Sequence, residues 1–139
     1  MSSRETSDSD FVEVGSIGPG LCVLVGVTHG DGRAEADKLA AKIWGLRIFD
    51  DADGVMNLGA SEVGAEILVV SQFTLYGDTR KGRRPSWVEA ARPEHAEPLV
   101  DRVVDRLRSD GATVATGRFR TEMRVDLVND GPITLVLDV

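Results

Sequence analysis

The sequence predicts one α+β domain, mainly antiparallel, with two helices packed on its sheets. Three observations carry that expectation. Residues 20–27, GLCVLVGV, are a nearly continuous apolar run of strand length. Two separate segments place apolar residues at helical spacing. Near the C-terminus, two alternating runs flank the turn Asn129-Asp130-Gly131-Pro132. At 139 residues and 42% hydrophobic, the chain is the size of one ordinary domain and can build a core. A mean hydropathy of -0.09, with no apolar run near 18 residues, argues against a transmembrane helix.

In chain order, residues 1–10 (MSSRETSDSD) are rich in Ser, Asp and Glu, and read as a disordered tail ahead of a domain spanning 11–139. They have no basic flank followed by an apolar stretch, so they do not read as a secretory signal. Residues 11–14 (FVEV) are a short strand closed by the turn-rich GSIGPG. The run 20–27 reads as a buried central strand. Ala36, Leu39, Ala40 and Ile43 mark an amphipathic helix over 33–46, with Glu35 and Asp37 near its positive end. DDADG at 50–54 invites a calcium-loop reading. With Gly54 at the sixth position, however, Phe49 and Ala60 would occupy ligand positions, and neither can ligate. A turn before the short strand VMNL is the better reading. Residues 66–76 read as one long strand. Beyond Ser71 it alternates, with Phe73 and Leu75 on one face and Gln72, Thr74 and Tyr76 on the other.

Ser86-Trp87-Val88-Glu89 fits the spacing of a helix capping box, and Pro93 restarts the chain. Leu99, Val103 and Leu107, with Val100 and Val104 beside them, mark a second helix, which Gly111 suits as a stop. Strands are expected over 113–119 and 122–128. A last strand alternates Ile133, Leu135 and Leu137 with Thr134, Val136 and Asp138.

Charge and reactive groups narrow the chemistry. The net charge of -7 argues against nonspecific coating of nucleic acid. Yet residues 78–92 hold five basic residues (Arg80, Lys81, Arg83, Arg84, Arg92) against two acidic ones, Asp78 and Glu89. Such a cluster is either a solvated loop or a phosphate footprint. The single cysteine, Cys22, cannot form an intrachain disulfide, and no Cys/His cluster suits structural zinc. Cys22 reads as a small buried hydrophobe in a reducing, cytoplasmic setting. No G-x-S-x-G elbow surrounds a serine, and neither His29 nor His95 pairs with a nucleophile in sequence, so a hydrolase triad is not expected. Gly15-Ser16-Ile17-Gly18-Pro19-Gly20 precedes a strand and lacks the Lys-Ser/Thr of a phosphate loop. Two polar stretches remain, Ser71-Gln72-Phe73-Thr74 and Asn129-Asp130-Gly131-Pro132-Ile133-Thr134. Both offer hydroxyls, amides and backbone groups, and neither offers a strong base. Each also has a plain explanation, as a strand end and a hairpin turn.

SQFTLYGDTRKGRRPSW at 71–87 and VNDGPITLVLD at 128–138 resemble the D-aminoacyl-tRNA deacylase (D-tyrosyl-tRNA deacylase) family. IGPGLCVLVGVTH, KIWGLRIFDD, MNL and VATGRF resemble it in the same order, so the likeness runs from about residue 12 to the C-terminus. The resemblance implies a barrel-like arrangement of the sheets. It implies hydrolysis of the ester between a D-amino acid and the 3′ end of a tRNA, or of glycine mischarged on an alanine tRNA, with L-aminoacyl-tRNA rejected. It implies a cytoplasmic homodimer with active sites at the subunit interface, no cofactor or metal, and no membrane or DNA partner. Ser71, Gln72, Phe73 and Thr74 would line the pocket, with backbone N–H groups near Phe73 and Thr74 holding the ester carbonyl oxygen. Gly131 and Pro132 would enter the partner's pocket through a cis peptide and exclude L-amino acids. Thr134 is a catalytic candidate by analogy, read here as a hydroxyl that orders the pocket. Arg80, Lys81, Arg83 and Arg84 would then catch tRNA phosphates outside the pocket mouth.

The likeness departs at the start. Family members begin with a strand resembling MRAVVQRV, whose arginine lies near the site, followed by a second strand. Here MSSRETSDSD stands in their place. The alternative to an enzyme is therefore an inactive paralogue that binds tRNA without catalysis.

Overall fold

The computed structural model describes residues 2–7 and 10–139. Among the described residues are two three-stranded sheets, a two-stranded one and two long helices, which cover one face of the parallel sheet. Strand β1 (Ser2–Ser7) lies between β2 (Asp10–Ser16) and β8 (Met123–Asp126), antiparallel to both. The second sheet has the order β3 (Gly20–Val25), β6 (Glu66–Ser71), β7 (Val114–Thr116), and all three strands are parallel. Parallel neighbours need long crossovers. Helix α1 (Arg33–Gly45) lies in the connection from β3 to β6, and α3 (Pro93–Ser109) in that from β6 to β7. Between them lie the hairpin of β4 (Phe49–Asp50) with β5 (Met56–Leu58) and the single turn α2 (Ala60–Val63).

The α+β class stands, with α1 and α3 the two packed helices. The sheet at the centre is parallel rather than antiparallel, because helices make both of its connections. Among the described residues the sheets do not close into a barrel. Among those residues, too, no helix is long and apolar enough to cross a membrane.

Helix α1 begins where the Glu35 carboxylate accepts the Gly32 N–H at 2.8 Å. Helix α3 begins at Pro93, whose missing N–H costs nothing in a first turn. The two helices bury Ala36, Ala40, Ile43, Leu99, Val100, Val103 and Leu107 against Val25, Ile67, Val69 and Val114 of the parallel sheet. Their outer seam is closed by Arg102, whose fork grips Asp37 at 2.7 and 3.1 Å. That hydrogen bond first, and then the neighbouring arginine charge, hold the Asp37 carboxyl below its ordinary range. At two points backbone runs against backbone. A Cβ on Gly20 would lie 1.8 Å from the Glu66 carbonyl oxygen, and one on Gly15 would lie 2.3 Å from that of Thr116, where the two large sheets meet.

Several elements differ from the sequence reading. Ser2–Ser7, expected to be disordered, form β1, so MSSRETSDSD does hold a strand ahead of Phe11; Met1, Asp8 and Ser9 lie outside the described residues. The central strand is β6, flanked on both sides, whereas β3 pairs only with β6 and exposes Leu24. The strand expected over 66–76 stops at Ser71, because its ladder with β3 ends at Val25. A capping box at Ser86 does not form. Ser86 instead exchanges two 2.8 Å backbone hydrogen bonds with Asp78. Residues 127–139 pair with no strand among the described residues, so the expected last strand is an extended segment. The DDADG turn is as expected: Asp51 Oδ1 accepts the N–H groups of Asp53 and Val55.

Candidate active site and basic loop

Strands β3, β6 and β7 end on the same side at Val25, Ser71 and Thr116. Open parallel sheets place their sites beyond such carboxyl ends. Ser71 and Thr116 line a cleft of about 370 Å³ there, walled by Val100 and Val104 of α3 and by Phe119.

Past Ser71 the backbone turns. The Gln72 N–H donates to the Val25 carbonyl at 2.8 Å, and Phe73–Tyr76 then form one turn of 3₁₀-helix. Leu75 N–H donates to the Gln72 carbonyl at 3.2 Å and Gly77 N–H to that of Thr74 at 3.0 Å. The first N–H groups of such a turn have no acceptor inside it, and here they belong to Phe73 and Thr74. The turn also overturns the alternation expected from sequence. Phe73 is 53% and Leu75 57% exposed, while Tyr76 lies inward beside Gly26. Burial, ahead of neighbouring acidic charge, pushes the Tyr76 phenol up. The Gln72 side-chain N–H donates to the Thr74 hydroxyl at 2.5 Å, which ties the pocket stretch to itself.

Gly131, Pro132 and Thr134 lie on the exposed segment 127–139, and the Gly131–Pro132 peptide is cis. Asn129 donates to the Thr134 hydroxyl at 3.2 Å. Among the described residues this stretch shares no hydrogen bond with Ser71–Thr74. Within one chain, then, the candidate residues form two groups rather than one.

The basic loop is closed at its base by the Asp78–Ser86 bridge. Arg80 folds back on Asp78, with Nε to Oδ1 at 2.9 Å and Nη2 to Oδ2 at 2.7 Å. Those hydrogen bonds pull the Asp78 carboxyl from 3.8 to about 2 and raise the Arg80 guanidinium. Lys81, Arg83 and Arg84 lie exposed around Gly82. The four basic residues are thus unequal, since the carboxylate beside Arg80 already offsets its charge.

Among the described residues, neither histidine hydrogen-bonds to Ser71–Thr74. His29 Nε2 lies 2.6 Å from the Val88 carbonyl oxygen and His95 Nε2 2.7 Å from that of Asp31. A carbonyl can only accept, so each ring donates there. Both pin the strand-end turn to the segment after the basic loop. Burial raises the Cys22 thiol, which is the opposite of activation. Among the described residues, no group of three His, Cys, Asp or Glu side chains gathers to hold a metal ion.

Trp87 is a residue that sequence reasoning passed over. Its ring meets Phe73 edge-on, with centroids 5.3 Å apart and planes at 69°. The signal available was Trp87 closing the same short segment that Ser71 opens, with an unbranched Gly77 between them.

The profile of the family described as D-Tyr-tRNA(Tyr) deacylase matches residues 5–138. A D-aminoacyl-tRNA deacylase of Heliobacterium modesticaldum is 60% identical over 126 residues, covering 91% of this chain and 84% of that protein. One of Streptomyces coelicolor is 58% identical over 131 residues, covering 94% and 89%. Among solved structures, one titled c-Myc DNA Unwinding Element Binding Protein superposes with a TM-score of 0.87 at 32% identity, covering 99% of this chain and 93% of that one.

Proposed function

This chain belongs to the D-Tyr-tRNA(Tyr) deacylase family, and we propose that it hydrolyses the ester between a D-amino acid and the 3′ end of a tRNA. The observation that carries this is the 3₁₀ turn at the carboxyl end of β6, which leaves the Phe73 and Thr74 N–H groups at an open start. An aminoacyl ester is already activated by its ammonium and its ribose hydroxyl. Catalysis then needs placement and oxyanion stabilisation more than a strong base.

In the proposed reaction the ester carbonyl oxygen lies against those two N–H groups. Water adds to the carbonyl carbon, and the negative charge collects on that oxygen. The intermediate collapses by breaking the bond to the ribose 3′ oxygen, which takes up a proton and leaves as the tRNA hydroxyl. The tRNA 2′-hydroxyl assists the attacking water. Ser71 and Gln72 line the pocket, and Gln72 fixes Thr74. Gly131 and Pro132 act in the pocket of a second copy, where they exclude L-side chains, and Thr134 orders that segment through Asn129. This division suits a homodimer, because the two groups of residues lie on separate stretches of one chain. Glycyl-tRNA, which has no side chain to exclude, is a second substrate. Lys81, Arg83 and Arg84, with a lesser part for Arg80, contact tRNA phosphates, and the reaction takes place in the cytoplasm.

The test is deacylation of one tRNA charged separately with D-tyrosine, L-tyrosine and glycine. Loss of the D-tyrosyl and glycyl esters with the L-tyrosyl ester spared is the expected result. Binding of D-tyrosyl-tRNA without turnover would make this a tRNA-binding member that has lost catalysis.

A further inference from the structure

We propose that Trp87 is a positioning residue, which holds the Phe73 turn in the geometry that aims its N–H groups at the reacting ester. The inference rests on the deacylase reading above and assigns a task to a residue outside the pocket motif.

A preorganised oxyanion site must keep its donors fixed before the charge develops. The turn that carries them is held on the β3 side, by the Gln72 N–H on the Val25 carbonyl and by Tyr76 beside Gly26, while its Phe73 side faces outward. Phe73–Tyr76 is only four residues long, none of its residues is buried, and Phe73 is half in solvent. The Phe73 ring does meet the Trp87 ring, in a T-shaped contact. Aromatic pairs in this geometry attract each other modestly beyond their buried area. That is enough to bias a small turn and too little to decide whether the domain folds.

Trp87 is well suited to act as a fixed reference. Gly77, one residue past the turn, leaves room for the indole: a Cβ there would lie 2.5 Å from Trp87 Cζ3. On one side Trp87 follows Ser86, bonded twice to Asp78. On the other, its carbonyl accepts the Ala90 N–H at 3.1 Å, and Ala91 N–H donates to the Val27 carbonyl at 2.9 Å. Thr28 Oγ1 donates to the Glu89 carbonyl at 2.5 Å, and His29 reaches that of Val88. The indole therefore stands on a segment stitched to the end of the β3 strand, and it transmits that fixed position to Phe73.

The test compares Trp87→Ala, Trp87→Phe and Gly77→Ala with the parent chain on D-tyrosyl-tRNA, resolving kcat from KM. Gly77 has a φ of -64°, which alanine adopts freely, so that change acts through crowding of the indole and of the nearby Thr74 carbonyl. Trp87→Ala should lower kcat about three- to tenfold and leave KM within about twofold, the pattern of an interaction felt only in the transition state. Trp87→Phe, which keeps an aromatic edge, should recover most of the rate, and Gly77→Ala should lower kcat in the same sense as Trp87→Ala. An unchanged kcat in Trp87→Ala, or a rise in KM alone, overturns the inference while leaving the deacylase reading intact. A parent chain inert towards the D-ester removes both.

Discussion

The two halves of one short segment behave in opposite ways. Ile67, Leu68, Val69 and Val70 of β6 are buried between two neighbouring strands, Ile67 and Val69 under the two helices and Leu68 and Val70 against Ile17, Met123 and Val125 on the opposite face. A few residues on, Phe73 and Leu75 are as apolar and more than half exposed. Residues 127–139 repeat the second pattern, with Val128 and Val136 almost fully exposed on a segment that pairs with no described strand. Hydrophobicity alone does not separate these regions. What separates them is whether a strand lies on both sides of the backbone, since β3, paired on one side, exposes Leu24. Flanked on both sides, the apolar side chains of β6 are covered. Past the end of the ladder they stay exposed on this chain.

The largest expected effect breaks the first half. Leu107 is fully buried under the parallel sheet. Leu107→Ala should therefore destabilise the domain by about 2–5 kcal/mol, read as a drop in the urea midpoint at constant slope. A loss no larger than that of an exposed site would mean the helix face is not the fold's anchor.

A change in the second half should act on association instead. Val136 is 88% exposed, so Val136→Asp should leave the stability of one chain within about 0.5 kcal/mol. If a second copy covers the segment, dilution followed by sedimentation should show the dimer dissociation constant raised about tenfold or more. A dimer indifferent to the charge would place the seam elsewhere.

The basic loop sharpens the comparison on a smaller scale. Removing Lys81, Arg83 or Arg84 singly should flatten the dependence of log affinity for tRNA on log salt by about 0.7 each, the slope expected per phosphate contact to a single strand. Arg80→Ala should flatten it less, because Asp78 already neutralises that guanidinium. Four equal losses would contradict the fork.

The smallest effect is a titration. Asp78 ionises at about 2 instead of 3.8, so its contribution to loop closure is fully present above 3.8 and is lost as pH falls towards 2. A carboxylate resonance of Asp78 followed by NMR should show that low midpoint, and Arg80→Ala should return it towards the ordinary value.

Sequence patterns were informative wherever a side-chain period reflected burial. Ala36, Leu39, Ala40 and Ile43 outline α1, and Leu99, Val103 and Leu107 outline α3, because each set has one face to cover. The polar motifs at 71–74 and 129–134 read from their residues as a strand end and a turn as readily as binding stretches, and only the resemblance joins them into one proposed site. Three features left no such trace. Ser2–Ser7 contains no apolar residue and is held in register by backbone pairing with β2 and β8. The change from strand to 3₁₀ turn at Gln72 depends on where the neighbouring strand stops, a tertiary fact. The Trp87–Phe73 contact joins residues fourteen positions apart across a loop whose closure rests on backbone hydrogen bonds between Asp78 and Ser86.

Ser71, Gln72, Phe73 and Thr74 present two hydroxyls, an amide and a phenyl ring. None of those four groups gains or loses a proton across the range in which tRNA stays folded. A pocket of that kind has no acidity of its own to impose on a reaction. On the proposed reading, any bend in its rate against pH belongs to what it holds: the ammonium of the esterified amino acid and the hydroxide supply of the solvent. The profile should travel with the cargo, shifting when the amino acid is changed and standing still when the protein is.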